Sequence, residues 1–183
     1  MVDRVSKSEV DIQQLRDQQA DDRTLLGRAR LGATIAKSHG KLFIMNDRAD
    51  LAVAGDTDGV HVGQEELPAS EARRIVGPTR LIGVSTHCIE QARQAVAEGA
   101  DYIGCGPVFP GRTKSFDAYV GVDLLRDVAR EIEIPAFAIG GIDRSNVEEV
   151  VQAGCRRIAV TGALRDVDDA SAAAAELAER LQA

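Results

Sequence analysis

Seven short apolar runs, each separated from the next by a polar stretch, constrain this chain more than any other feature. They are Val10–Leu15, Lys41–Met45, Gly59–Val62, Leu81–Val84, Tyr102–Cys105, Ala136–Ile139 and Arg157–Val160. Several are apolar at consecutive positions, as strands covered on both faces are. Between them, Ser70–Val76, Ile89–Glu98, Val122–Glu131 and Asn146–Gly154 repeat apolar residues every three or four positions, the spacing of amphipathic helices. Gly99 and Gly154 stand where glycines end helices. Asp143 or Ser145 can cap the helix that follows them, and alanine-rich Asp168–Ala183 reads as a closing helix.

Strict β-then-α alternation leaves two architectures, a closed (β/α)8 barrel of the TIM type and an open doubly wound sheet. Polar residues follow nearly every run instead of gathering at one switch point, which favours the barrel as a single domain over 1–183. A barrel needs eight strands, and only seven are clear. Residues 1–9 are a degenerate start: either the first βα unit is missing or Val2–Val5 forms a vestigial strand. No linker or low-complexity tract divides the chain.

A formal net charge of −7 over 183 residues argues against nucleic acid or an anionic membrane as the main partner. Any anion must therefore be held by local cations and backbone donors. Cys88, Cys105 and Cys155 lack metal or redox spacing and read as thiols in a reducing compartment. No apolar run approaches the ~20 residues of a membrane span. A soluble, cytoplasmic protein is expected.

In a barrel, residues just past the strands share one rim, so distant positions converge. After the first run come Gln14, Arg16 and Gln18, which alternate and face one way. Asn46, Asp47 and Arg48 follow the second run; Gln64, Glu65 and Glu66 the third; Ser85, Thr86 and His87 the fourth. The stretch Asp101–Lys114 runs from an apolar strand through a Gly/Pro turn into a loop bearing Thr113 and Lys114. Gly140-Gly141 and Thr161-Gly162 close the last two runs, where barrels often bind phosphate through backbone N–H groups. Asp47 and Glu66 beside Arg16 and Lys114 suit a Mg²⁺–pyrophosphate site, since a hard cation takes one or two carboxylates and fills its shell with phosphate oxygens and water. His87 reads as a surface or capping histidine, His39 as a solvated helix end, and His61 as a satisfied inward residue. No nucleophile–base pair stands out.

In order, Gln14-Leu15-Arg16-Asp17, Met45-Asn46-Asp47-Arg48, Asp58-Gly59-Val60-His61-Val62-Gly63-Gln64 and Gly83-Val84-Ser85-Thr86-His87 resemble the thiamine-phosphate synthase family. The likeness continues through Gly99–Gly104, Gly106–Pro110, Thr113-Lys114 and Ala138–Ile142. The resemblance implies a (β/α)8 barrel that joins 4-amino-2-methyl-5-hydroxymethylpyrimidine diphosphate to thiazole phosphate, giving thiamine phosphate and pyrophosphate. It implies that Gln14, Arg16, Asn46, Ser85 and Lys114 hold the pyrimidine diphosphate and that Asp47 binds Mg²⁺. Thr113, Gly141 and Thr161-Gly162 would hold the thiazole phosphate. Arg16, Lys114 and Ser85 would act on the leaving group. Such a reaction needs no strong protein base, since cations stabilise the departing pyrophosphate and the thiazole nitrogen captures the carbon.

The chain departs from the family pattern mainly on the leaving-group side. Gln18 stands where a lysine is usual, Glu66 replaces a second aspartate, and Gly111 and Gly162 replace hydroxyl residues. Losing one charge-assisted contact costs ~1.5–3 kcal/mol, or about ten- to a hundredfold in rate. The implied partners are the two small-molecule substrates, with a homodimer as a compatible assembly. Two alternatives stand beside the synthase. One is a thiazole tautomerase-like isomerase, which by resemblance carries a histidine where this chain has Pro107. The other is a non-catalytic, phosphate-binding regulatory relative.

Overall fold

The computed structural model describes residues 2–111 and 119–182, the side chain of Arg4 excepted. Thr113 and Lys114 lie outside the described residues. Seven parallel strands follow one another in sequence order: β1 (Ile12–Leu15), β2 (Leu42–Asn46), β3 (Gly59–Val62), β4 (Leu81–Thr86), β5 (Tyr102–Cys105), β6 (Ala136–Ile139) and β7 (Ile158–Ala159). Helices return the chain between them: α2 (Asp22–Ser38), α3 (Ala49–Ala54), α4 (Ala69–Val76), α5 (Ile89–Ala97), α6 (Gly121–Glu131) and α7 (Val147–Gln152). The short α1 (Val2–Ser6) precedes β1, while α8 (Gly162–Arg165) and α9 (Ala170–Gln182) follow β7.

Alternation within each strand sorts the two faces of the curled sheet. Phe43, Met45, Val60, Val62, Ile82, Val84, Ile103, Cys105 and Ala138 point outward and are buried under the helices. Helix α2 presents Leu25, Ala29, Gly32, Ala33 and Ala36 to this face. A Cβ on Gly32 would fall 2.1 Å from the Phe43 ring, so glycine there is what lets helix and strand approach. Asp21 caps α2 by accepting from the Thr24 amide at 2.9 Å.

Two acids at the opposite end of the sheet from the rim stitch strands together. Asp58, just before β3, accepts from the Phe43 amide at 2.8 Å, and Asp101, just before β5, accepts from the Ile82 amide at 2.7 Å. Arg73 donates to the same Asp101 oxygen at 2.6 Å. These family-pattern acids serve the fold.

Among the described residues β7 does not pair with β1, so the sheet is a curled half-barrel with one open seam. Helix α1 packs against both α2 and α9, outside that seam. Val2 packs against the Ala33–Ala36–Phe43 cluster, and Ser6 accepts from the Gln13 side chain at 2.6 Å. The vestigial strand expected at Val2–Val5 is therefore corrected to a helix. Val2 and Val5, three apart, share a helical face but would fall on opposite faces of a strand.

The proposed caps of α7 are corrected as well. The N-cap position is Asn146, while Asp143 accepts from the Ser145 amide and hydroxyl and so shapes the preceding turn. Gly99 and Gly154 lie just past α5 and α7 with φ of 86° and 93°, as expected of terminating glycines. Cys88, Cys105 and Cys155 are free thiols. No helix among the described residues is long and apolar enough to cross a membrane.

Candidate active site at the strand-end rim

Because all strands are parallel, their C-terminal ends lie along one edge, and β1–β4 bring six of the named side chains into a connected group. The register pairs Gln14 with Ile44, Asn46 with His61, and His61 with Gly83, which sets alternate residues of four strands on one concave face. Gln14 donates to the side-chain oxygen of Asn46 at 3.1 Å. The Asn46 side chain also lies near the Asp47 carboxyl and favours its charged form. Asp47 is in the left-handed region, with φ of 62°, and its amide donates to the His61 carbonyl at 2.8 Å. A non-glycine residue in that region is uncommon, although aspartate tolerates it better than most.

The electrostatics of Asp47 show its neighbours. Its carboxyl is held above the ordinary aspartate range, first by partial burial and second by the negative charge of Glu66; the cation of Arg16 pulls the other way. Glu66 is folded back over the end of β3: a Cβ on Gly63 would lie 2.3 Å from its carboxylate oxygen. Two carboxylates and one arginine thus share the mouth between β1, β2 and β3. Among the described residues no three His, Cys, Asp or Glu side chains form a metal cluster. The donor set nevertheless fits a hard divalent cation, which takes one or two carboxylates and completes its shell with water and phosphate oxygens.

Ser85 joins the group through β4. Its hydroxyl lies 2.9 Å from Nε2 of His61, and Nδ1 of the same ring lies 3.1 Å from the Tyr102 hydroxyl. Burial pushes the His61 imidazole down to about 4, so it is neutral at ordinary pH. Gln64 donates to the Ser85 carbonyl at 2.6 Å. His61 is thus inward and satisfied, as expected. Its link to Ser85 is not legible from sequence, because it depends on the register of β3 against β4.

Several strand-end residues do other work. Arg48 binds Asp22 and Asp50, tying together the starts of α2 and α3. Asp17 accepts from Arg28 and from the amides of Gln19 and Ala20. The ring of His87 bonds the Gly106 carbonyl while its amide is capped by Gln91, and His39 reaches Asp3 of α1. Gln18 is in the exposed turn beyond β1.

A second group lies farther along the same edge. The loop after β5 is zipped to the loop after β6, with Val108 donating to Ile139 at 2.9 Å and Phe109 to Gly140 at 3.1 Å. Gly141 has φ of 63°, and a Cβ there would fall 2.4 Å from the Pro110 carbonyl oxygen. Loop packing alone therefore demands glycine at 141. Thr161 is the N-cap residue of α8 without a side-chain capping bond, which leaves its hydroxyl uncommitted to the helix.

Comparison with known proteins shows the family of the chain. A family model described as thiamine monophosphate synthase matches residues 1–164. The chain belongs to the thiamine monophosphate synthase family. It is 58% identical over 164 residues to the thiamine-phosphate synthase of Rhodopirellula baltica, covering 87% of this chain and 44% of that protein. Identity to the thiamine-phosphate synthase of Gloeobacter violaceus is 49% over 168 residues, 92% of this chain and 49% of the relative. The chain spans about half the length of these curated relatives. The solved structure of a thiamine phosphate pyrophosphorylase from Pyrococcus furiosus superposes with a TM-score of 0.90 at 32% identity, covering 99% of this chain and 87% of that one.

Proposed function

We propose that this chain carries the thiamine-phosphate synthase reaction, joining the pyrimidine diphosphate to thiazole phosphate with release of pyrophosphate. The observation that carries the reading is the rim of β1–β4, where Gln14 bonds Asn46, the Asp47 amide bonds the His61 carbonyl and the His61 ring bonds Ser85, with Arg16 and Glu66 near Asp47. Gln14 and Asn46 orient the diphosphate, and Arg16 and Ser85 bind its oxygens, with Lys114 completing the cationic side. Asp47 and Glu66 are the residues that would hold Mg²⁺. When bound, that ion spreads the charge growing on the pyrophosphate oxygens. The C–O bond of the pyrimidine diphosphate breaks with its electron pair leaving on pyrophosphate. The thiazole nitrogen lone pair forms the new C–N bond. Thr113, Gly141 and Thr161-Gly162 hold the thiazole phosphate so that this nitrogen faces the carbon, and the step gains from alignment.

The finer reading of the fold is a (β/α)8 barrel whose open seam between β7 and β1 takes an eighth strand. A cytoplasmic location and a homodimer complete the proposal.

The test is to incubate the full chain with both substrates and Mg²⁺ and to measure thiamine phosphate. Product above a heat-killed control supports the reading. Folded protein that yields none, yet binds thiazole phosphate in a calorimeter, moves it to the regulatory alternative; conversion between thiazole tautomers without the pyrimidine diphosphate moves it to the isomerase. Gln18→Lys is expected to raise the rate about tenfold, since it restores one charge-assisted contact to pyrophosphate.

A further inference from the structure

The concave face holds a hydrogen-bonded line that the proposed chemistry leaves unexplained. It starts at Tyr102 on β5, crosses β4 over Gly83, passes through the His61 ring on β3 and ends at Ser85 on β4. The space for it is built into the sheet. A Cβ on Gly83 would lie 2.1 Å from the Tyr102 ring and 2.4 Å from Nδ1 of His61, and one on Gly104 would lie 3.4 Å from Cε1. The Phe137 ring meets Tyr102 edge-on at 5.5 Å between centroids and closes the far side.

A neutral imidazole has one N–H and one bare nitrogen, so the line has a direction. If Nδ1 carried the proton, it would donate to the Tyr102 oxygen and Ser85 would donate to Nε2. The half-buried Tyr102 O–H would then have no protein acceptor among the described residues, where His61 is its one hydrogen-bond partner. For a half-buried hydroxyl, losing the protein acceptor is still costlier than leaving an acceptor with a spare lone pair. In the other direction Tyr102 donates to Nδ1, and Nε2–H donates to the Ser85 oxygen. The Ser85 proton is then free to point into the mouth.

We infer that His61 and Tyr102 are positioning residues that turn the Ser85 hydroxyl outward as a donor to the departing diphosphate. The inference rests on the proposed function. Neither residue touches the reacting atoms; both act through Ser85. An anion gains from a donor fixed in advance, because no reorganisation is needed as charge develops.

Two measurements on the full chain test this. The first is side-chain nitrogen NMR of ¹⁵N-histidine-labelled protein, with the His61 signals assigned by their loss in His61→Gln. The expected tautomer is Nε2–H, and finding Nδ1–H overturns the relay whether or not the protein turns over. The second is a double-mutant cycle. Tyr102→Phe is expected to lower kcat/KM about five- to tenfold in the wild-type background and to leave it unchanged in Ser85→Ala. His61→Gln, whose amide can still donate to Ser85, is expected to retain more activity than His61→Ala. Equal losses from Tyr102→Phe in both backgrounds would mean a merely structural role and overturn the inference. If wild-type protein makes no product, the proposed function fails. The cycle is then read on the affinity for pyrophosphate with Mg²⁺, with the same expected and overturning outcomes.

Discussion

Alternate residues of the same strands meet two different environments. Outward-facing Phe43, Met45, Val60, Ile82 and Ile103 are at most 2% exposed, large and apolar. On the concave face Ile44 is fully buried, but Leu42 and Ile139 remain 36% and 40% exposed, and polar or glycine positions are frequent there: Asn46, His61, Gly83, Ser85 and Gly104. A closed barrel would fill its interior with layered side chains. The main apolar cluster of the described residues therefore lies on the convex face, under the helices, and the concave face carries most of the polar strand residues. Placing the main core on one side of the sheet lets the other tolerate an acid pair, a left-handed aspartate and a half-buried histidine.

The sharpest way to break this comparison is to make matched truncations on the two faces. Ile82→Ala should cost about 2–5 kcal/mol of stability, read by urea denaturation, because a fully buried branched side chain leaves a cavity. Ser85→Ala should cost roughly 1 kcal/mol or less but lower kcat/KM by about ten- to a hundredfold. Equal destabilisation by the two would refute the division. Gly83→Ala sharpens it. The new methyl would meet the Tyr102 ring and the His61 imidazole, so a loss of about 1–3 kcal/mol is expected, together with loss of activity.

The smallest effect concerns Asp47. Its carboxyl is raised in the folded state, so the folded chain holds that proton more tightly than the unfolded one. Asp47 therefore contributes stability fully below its unfolded value near 3.8 and loses it as pH rises through the higher folded value. Asp47→Asn removes this loss, and its melting temperature at neutral pH should lie slightly above that of the wild type while activity falls. Mg²⁺ should raise the wild-type melting temperature and leave the variant unchanged.

The strands were legible because their convex positions are continuously apolar, and Gly59–Val62, Tyr102–Cys105 and Ala136–Ile139 match in both bounds. The longest helix, α2, was not among the recognised helical patterns. Its buried stripe is mostly alanine and glycine, small enough to pack on Phe43 yet too weak as a hydrophobic signal. Helix α1 was misread because two valines in a short polar segment carry little periodicity. At the site, Gln14, Asn46, Asp47 and Ser85 could be named from their places just past apolar runs. The partnership of Ser85 with His61 and Tyr102 could not, since it depends on which residues of β3, β4 and β5 stand level with one another.

The central claim is that the β1–β4 rim binds a diphosphate through Mg²⁺ held by the paired carboxylates, with Arg16 and Ser85 taking diphosphate oxygens. Calorimetric titration of pyrophosphate into the full chain, with and without Mg²⁺, tests it most directly. The account expects binding that needs Mg²⁺ in the wild type, is lost in Asp47→Asn and is weakened in Ser85→Ala. Binding of equal strength in all three proteins, or binding indifferent to Mg²⁺, would contradict it.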